Sequence, residues 1–414
     1  MADIERPAKV WQELMNAGAD TEYVGDKQEL ERLLAPDNLV QGIYARKLGW
    51  VGDQFITPVA ADRSKGYDVV VESSILDVAA RKFSCAGTPS DWKNNVALPA
   101  TKSSYCSIAL LQALAAPLLG RIFPDRGEGF LINIAGDSSV GKTTCLMVGK
   151  SVSGPGGELS TWDQTPRSLV EHAAAFSDTF MPIDDLDKVS NEPRFARDFT
   201  RITHSLTSGE SKQYAALVKG NLPDLRWTCC GMTGSRTTVE ELSGKTNREN
   251  HERVRCLDLK VPGAAEGGIW DRRDAGDVPQ LLTDELRASC SRVYGRPLRR
   301  WLKELHKEET IQQARKLVQE WVAQQHLADN DGIGHRVAKK FGLLYAAGIL
   351  AVNATILPWN DEFVDDVVRD MHANARETLY PQEKEVREGL RSIVSAAKTL
   401  AAASLPASTR PEFR

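Results

Sequence analysis

The stretch "GDSSVGKTT", Gly136 to Thr144, has the spacing of a loop that binds the phosphates of a nucleotide. It satisfies G-x-x-x-x-G-K-[ST]: the glycines let consecutive backbone N–H groups turn toward a phosphate, the lysine neutralises the outer phosphates, and the hydroxyl that follows is a ligand for Mg²⁺. We expect ATP and Mg²⁺ as cofactors. The expected nucleotide ligands are Gly136, Asp137, Ser138, Ser139, Val140, Gly141, Lys142, Thr143 and Thr144, with Thr143 also on the metal.

The flanking residues predict the elements that such a loop needs. The apolar run "FLINIA" before it is typical of a strand, and "KTTCLMVGKSV" after it is typical of a helix start. The alternative, an accidental Gly/Ser turn, does not account for this strand–loop–helix order.

Nucleotide hydrolysis also needs a carboxylate for Mg²⁺ and usually a group that orients water. The apolar stretch "FMPIDD" predicts a strand that ends in two carboxylates. We assign Asp184 to the metal and Asp185 to the water. The alternative is that the two acids only cap the next helix.

A third strand, "RWTCCGMTGS", could carry a polar side chain from its end toward the γ-phosphate. Thr233 and Ser235 are the candidates, and turn residues without a ligand role are the alternative.

Basic residues supply two further predictions. Arg253 and Arg255 precede the strand "CLDL", where a planar guanidinium could act on the nucleotide of a neighbouring subunit. The alternative is a solvated charge run with ion pairs to Glu249 and Glu252. Lys212 and Lys219 bracket a hairpin-like stretch and could follow a phosphate backbone, or serve only solubility.

Composition places the chain among ordinary globular proteins. It has 414 residues, 42% hydrophobic and 26% charged, with a net charge of -4 that argues against a generally nucleic-acid-coated surface. Its seven cysteines form no C-x-x-C pair, so we expect reduced, mostly buried thiols in a cytosol. The charged N-terminus and two interrupted apolar stretches predict neither a signal peptide nor a membrane span.

The predicted fold class is α/β: a P-loop, AAA+-like parallel sheet core with a small N-terminal α+β domain and a C-terminal helical domain. Alternating strands and helices around the loop indicate the parallel sheet. The expected boundaries are an N-terminal domain at 1–105, an ATPase core at 106–265, a helical lid at 266–390 and a flexible tail at 391–414.

Several stretches in this order resemble the family catalogued as domain of unknown function 927, found in helicase- and primase-like proteins of phages, plasmids and genomic islands. They include "GWVGDQFITP", "GTPSDWKNNVA", "GDSSVGKTT", "STWDQTPRSLVEHAAAFSDTFMPIDDL", "VRCLDLKVP" and "HRVAKKFGLLYAAGILA", and the resemblance runs from about residue 40 to 375. The ATPase core of that family is similar to the AAA+ class and related in layout to ring-forming superfamily-three helicases.

The resemblance implies roles for individual residues. Lys142, Thr143, Asp184 and Asp185 match the ATPase motifs, and Arg255 matches the V-R position of the family before "LDL". In such rings an arginine comes from the neighbouring subunit. Arg336 in "HRVAKKF" matches a lid arginine that senses the γ-phosphate or forms a salt bridge. Two departures stand out: the second carboxylate is Asp where Glu is more usual, and the sensor strand lacks the usual S-T-G-E ending. The sequence contains no recognisable zinc-binding or primase module, so priming would need a separate primase or replication protein.

Three functions fit these observations. The favoured one is an ATP-driven motor, a hexameric ring that binds single-stranded DNA and translocates on or unwinds DNA for a mobile element. The second is a nucleotide-switched homo-oligomeric assembly or defence ATPase without unwinding. The third, a small-molecule kinase, lacks an identifiable acceptor site.

Overall fold

The structure is a computed structural model, and it describes residues 42–58, 68–79, 82–123, 129–190, 195–210, 225–242 and 250–380. Residues 1–41 of the predicted N-terminal domain and the predicted tail at 391–414 lie outside these ranges.

A parallel five-stranded sheet forms the centre of the fold. Nine strands are described in all: β1 (Gly42–Ala45), β2 (Gly49–Val51), β3 (Gln54–Ile56), β4 (Asp68–Val71), β5 (Phe130–Ala135), β6 (Ser160–Thr161), β7 (Phe180–Asp184), β8 (Cys230–Ser235) and β9 (Cys256–Lys260). The central sheet has the order β6-β7-β8-β5-β9, and every neighbouring pair is parallel. All six residues of β5 are buried, which explains why that strand is almost continuously apolar in sequence.

Helices cover the sheet and fill the C-terminal part of the chain. They are α1 (Ser73–Ala79), α2 (Pro89–Trp92), α3 (Ser104–Ile122), α4 (Lys142–Lys150), α5 (Pro166–Ala175), α6 (Leu186–Ser190), α7 (Phe195–Ser208), α8 (Val239–Leu242), α9 (Asn250–Arg253), α10 (Pro279–Arg292), α11 (Arg296–Leu305), α12 (Glu308–Ala323), α13 (Gly332–Asn353) and α14 (Asp361–Leu379). A π-helix, Lys93–Ala97, and two 3₁₀-helices, Pro99–Lys102 and Ala264–Glu266, complete the described set.

Side-chain caps explain where several of these helices begin. Thr88 and Asp91 form a reciprocal capping box on α2, and Pro89 occupies the first helical position. The hydroxyls of Ser103 and Thr165 accept backbone N–H bonds at the starts of α3 and α5, and Asn360 does the same for α14.

Helix α3 is the centre of the main hydrophobic core. It contacts α4 and β8 on the sheet side, as well as α13 and α14 from the C-terminal helices. The amide of Gln112 donates to the Gly231 carbonyl at 2.7 Å, and the indole of Trp301 donates to the Leu114 carbonyl at 2.7 Å. Among the described helices, α3 alone is long and apolar enough to cross a membrane, but 89% of its apolar stretch is buried inside the protein, as in core helices of folded proteins.

The N-terminal strands form two small sheets. Strands β1 and β4 are parallel, whereas β2 and β3 form an antiparallel hairpin whose Trp50 and Phe55 belong to this core. A buried carboxylate anchors the hairpin: Asp178 Oδ2 accepts from Trp50 N at 3.1 Å and from Lys47 Nζ at 2.9 Å. One hydrophobic cluster joins residues from all three predicted domains, such as Trp92, Leu111 and Val337, so the boundaries at 105/106 and 265/266 stay a prediction.

The predicted fold class, an α/β protein with a P-loop, AAA+-like parallel sheet, is confirmed, and the strand predicted at Phe130–Ala135 has those bounds. All seven cysteines fall within the described ranges and are free, six of them buried, as predicted.

Candidate functional site

The predicted phosphate loop connects the carboxyl end of β5 to the first turn of α4. Ligands of open parallel sheets bind at this edge, and the N-terminus of a helix favours anionic groups. Two loop residues have left-handed backbone, Ser139 at φ 66° and Gly141 at φ 103°. Two reasons favour glycine at position 141: its left-handed backbone, and the lack of room for a Cβ, which would lie 2.6 Å from Ile269 Cδ1.

Gly268 and Ile269, which follow β9 in the chain, pack against the phosphate loop. Ile269 N donates to the Val140 carbonyl at 3.0 Å, and a Cβ on Gly268 would approach the same carbonyl to 2.6 Å. The sequence analysis did not predict this contact, and the Gly-Gly pair at 267–268 is the one sequence feature that hints at it.

The side chain of Lys142 lies over the loop. Its Nζ donates to the Gly136 carbonyl at 2.5 Å and to the Asp137 carbonyl at 2.7 Å. Burial lowers the pKa of Lys142, while the carboxylates of Asp187 and Asp184 act in the opposite direction. The ammonium is therefore held among the loop carbonyls, at the position from which a lysine reaches the outer phosphates.

Thr143 and Asp184 meet although they come from different elements. Thr143 Oγ1 donates to Asp184 Oδ2 at 2.8 Å, from the first turn of α4 to the end of β7. Mg²⁺ in nucleotide sites usually has one or two protein oxygens, with phosphates and water completing its shell. A hydroxyl beside a carboxylate fits that requirement. In the described part of the chain, no group of three or more His, Cys, Asp or Glu offers a different metal site.

Asp185 lies directly after β7 in a left-handed turn at φ 60°. Its N–H donates to Asp184 Oδ1 at 2.9 Å, and its own Oδ2 accepts from Lys188 Nζ at 2.5 Å. Both side chains of this ion pair are exposed, 42% for Asp185 and 61% for Lys188. The water-orienting role predicted for Asp185 does not explain why its carboxylate pairs with Lys188.

The sensor candidates on β8 are buried. Thr233 Oγ1 accepts from the Trp162 indole at 2.7 Å, and Ser235 Oγ donates to the Asn133 side chain at 3.0 Å. Between them, Gly234 lies beneath the site: a Cβ there would be 3.3 Å from Lys142 Cβ and 3.5 Å from Asp184 Oδ1. The end of β8 therefore contacts the site through its backbone: Gly234 lies next to Lys142 and Asp184, and the Ser235 carbonyl accepts from Gly136 N at 3.0 Å.

The three predicted arginines lie near the opposite end of the sheet. Arg255 directly precedes β9, its carbonyl accepts from Leu131 N at 2.8 Å, and its guanidinium donates to Thr207 Oγ1 at 2.8 Å. Arg253 Nη2 pairs with Glu240 at 2.9 Å. The six residues of β5 separate this end from the phosphate loop by roughly 16 Å.

Arg336 lies on helix α13, which packs near the same end of the sheet. One turn further along α13, the ammonium of Lys340 lies 5.5 Å from the centroid of the Phe130 ring, at the first residue of β5. At the start of α13, Asp331 Oδ1 accepts from the Tyr380 hydroxyl at 2.8 Å. Arg336 is half-buried, and no hydrogen bond or ion pair joins its guanidinium to the described residues.

The two predicted nucleic-acid lysines, Lys212 and Lys219, lie outside the described residues. Their predicted role stays a prediction.

The fold and the site together define an α/β protein whose parallel sheet carries a G-x-x-x-x-G-K-T loop at its carboxyl edge. Residues 5–222, just over half of the chain, match the family described as domain of unknown function (DUF927). The chain therefore belongs to this family, and the predicted family is confirmed. No curated protein matches the sequence.

Among solved structures, the chain is similar to one titled "SCCmec type IV Cch - active helicase". The two are 17% identical, the match covers 95% of this chain and 72% of that one, and the TM-score is 0.64, which shows a shared fold. A structure of the JCV helicase matches with 12% identity, 54% and 65% coverage and a TM-score of 0.27. The apo C-terminal region of NrS-1 matches with 10% identity, 80% coverage of each chain and a TM-score of 0.30. TM-scores this low do not show a shared fold.

Proposed function

We propose that this protein is an ATP-dependent motor that hydrolyses ATP at the loop between β5 and α4. The observation that carries the proposal is the 2.8 Å contact between Thr143 Oγ1 and Asp184 Oδ2, beside the ammonium of Lys142. A structural turn would not need a lysine, a hydroxyl and a carboxylate from two elements at the carboxyl edge of a parallel sheet.

Each of these residues has a defined task in the proposal. The backbone N–H groups of Gly136–Thr144 and the Lys142 ammonium bind the phosphates and neutralise charge as the γ-phosphoryl group leaves. The Thr143 hydroxyl and the Asp184 carboxylate would hold Mg²⁺, which supplies further neutralisation of the phosphate oxygens. Ser235 or Thr233 would act only through the position of β8, because both hydroxyls are buried in contacts with other side chains.

A second subunit completes the proposed site. Arg253, Arg255 and Arg336 belong to segments at the amino end of the sheet, and one strand length, roughly 16 Å, separates that end from the phosphate loop of the same chain. An arginine so placed can reach a nucleotide only in a neighbouring subunit, where it would stabilise the charge of the transition state. We therefore propose a homo-oligomeric ring, with a hexamer as the expected form.

The proposed substrate is single-stranded DNA of a mobile genetic element. The shared fold with the SCCmec helicase and the family of the chain support this choice. Binding would rest on phosphate neutralisation and would weaken steeply with salt. We further propose that residues 106–265 form the ATPase core and residues 266–390 form a helical lid over it. A separate primase or replication protein is a proposed partner.

The net charge of -4 favours a second candidate function. In that case ATP would switch the protein between assembly states without work on DNA. The two functions differ in whether DNA changes the rate of hydrolysis.

The test measures ATP hydrolysis with and without single-stranded DNA, together with the mass of the protein in each state. Lys142→Ala removes the phosphate-binding ammonium, and Lys316→Ala removes an ammonium whose side chain is 75% exposed and serves as the matched control. We expect DNA-stimulated turnover by an oligomer that Lys142→Ala abolishes and Lys316→Ala retains. Turnover or assembly that ignores DNA would establish the switch instead, and hydrolysis that survives Lys142→Ala would refute both.

A further inference from the structure

The end of β7 and the start of α6 carry three acids within four residues, at positions 184, 185 and 187. They have different surroundings. Asp184 contacts Thr143, and Asp185 pairs with Lys188 at 2.5 Å on the surface. The left-handed backbone of Asp185 separates its carboxylate from that of the residue before it. A role for Asp185 at the nucleotide would require this exposed ion pair to break.

Asp187 instead faces the end of β8. It lies in α6 and is partly exposed, as Asp185 is, and its Oδ1 accepts the N–H of Arg236 at 3.0 Å. Arg236 directly follows β8, and Gly234, two residues earlier, lies beneath Lys142 and Asp184. The contact therefore fixes the Asp187 carboxylate at the carboxyl ends of β7 and β8, beside the phosphate loop.

The charge of Asp187 also acts on the loop lysine. Burial lowers the pKa of Lys142, and the carboxylates of Asp187 and Asp184 both act against that lowering. Electrostatic effects fall with distance, so both carboxylates lie in the neighbourhood of this ammonium. In the proposed hydrolysis, a water that attacks the γ-phosphorus would come from this edge of the sheet, where the Arg236 N–H holds the Asp187 carboxylate.

We infer that Asp187, rather than Asp185, is the carboxylate that orients and deprotonates the attacking water. This inference rests on the proposed ATP hydrolysis. In the step, the water oxygen bonds to the γ-phosphorus while the bond from that phosphorus to the β,γ-bridging oxygen breaks. The electron pair of the broken bond stays on ADP, and the water proton passes to Asp187 and then to the released phosphate. Arg236 positions Asp187 through its backbone N–H.

The experiment compares the kcat of ATP hydrolysis in Asp187→Asn and Asp185→Asn. Asn keeps an oxygen that can accept the Arg236 N–H but removes the charge, so the turn is retained. We expect Asp187→Asn to lower kcat at least about 100-fold, the usual range for loss of a general base, and Asp185→Asn to lower it less than about tenfold. Asp187→Glu, which restores a carboxylate, should recover part of the loss. Asp329→Asn, at an exposed acid, is the control for an unchanged rate.

Affinity for a non-hydrolysable ATP analogue and the melting temperature are measured on the same variants. A merely structural role would lower both with kcat, whereas loss of the water-orienting group leaves them within about twofold and a few degrees. A kcat that survives Asp187→Asn, or that falls more in Asp185→Asn, overturns the inference while hydrolysis lost in Lys142→Ala still upholds the proposed function. Absence of hydrolysis in the unsubstituted oligomer overturns both.

Discussion

Lys150 ends the helix that begins at the phosphate loop, and its ammonium is wholly buried. It donates to the Lys82 carbonyl and lies 3.3 Å from Ser153 Oγ, with the ring centroids of Phe83 and Phe176 at 5.0 and 5.7 Å. No ion pair joins it to an acid in the described part of the chain. Burial, aided by the nearby charge of Lys82, lowers the pKa of Lys150 from 10.5 to about 7.

The sign of the resulting pH dependence follows from proton linkage. The unfolded lysine holds its proton up to about pH 10.5, whereas the folded one releases it near pH 7. The unfolded state therefore binds more protons between these values, so this residue makes the free energy of unfolding rise with pH across that window. Below pH 7 the full penalty applies, about 5 kcal/mol at roughly 1.4 kcal/mol for each pKa unit.

Lys150→Met keeps an unbranched apolar stem and removes the titrating group. Against the penalty, the variant leaves the Lys82 carbonyl without its donor, at a cost of about 1–3 kcal/mol. We therefore expect it to exceed the unsubstituted protein in free energy of unfolding by about 2–4 kcal/mol near pH 6.5. That difference should shrink by about 3 kcal/mol as the pH rises to about 9.5.

The assay is urea unfolding, followed by tryptophan fluorescence at several pH values, on both proteins and on Lys316→Met as an exposed-lysine control. Other titrating groups, such as the buried thiols of Cys229 and Cys230 with raised pKa, are common to all three proteins and cancel in the difference. A difference between variant and unsubstituted protein that stays constant with pH would refute the reasoning about Lys150.

Three further predictions concern the site. Thr233→Val should lower the free energy of unfolding by about 1–3 kcal/mol in urea, because the Trp162 indole loses its buried acceptor; turnover lost at unchanged stability would instead assign the hydroxyl to the nucleotide. Gly234→Ala should lower kcat about tenfold or more with little change in melting temperature, because its methyl group would press on Lys142; an unchanged kcat would contradict this. Arg336→Ala should lower kcat about 10³-fold, and mixing it with Lys142→Ala subunits should restore turnover if the arginine acts in trans, whereas a mixture without turnover would count against that role.

The sequence predicted the sheet and the loop well because both are determined locally. A six-residue apolar strand before a glycine loop has few alternatives, and β5 and β7 were identified with their functional ends. The pairing of Thr143 with Asp184 was also predictable, because the carboxyl ends of parallel strands share one edge.

The roles of individual side chains within the site were harder to predict. Periodicity does not show which neighbour a strand residue meets, so the contact that buries Thr233 against Trp162 depends on the register of β8 with β7. The sequence also pointed to Asp185 because it is adjacent to Asp184. The left-handed turn and the Lys188 ion pair at Asp185, and the Arg236 N–H at Asp187, distinguish the surroundings of these two acids.

The edge strand β9 extends between the two parts of the molecule on which the proposed mechanism depends, the predicted arginines and the phosphate loop. Its residues Cys256–Lys260 pair in register with Leu131–Ala135 of β5, so it runs from the arginine end of the sheet to the phosphate loop. Along its length, Asp258 accepts from the Asn133 amide at 2.7 Å and ties the two strands together through buried side chains. Because a single chain holds the loop at one end and the arginines at the other, each subunit would supply half of two different sites. Hydrolysis would then depend on assembly, which is the property that a ring-forming motor and a nucleotide-controlled assembly have in common.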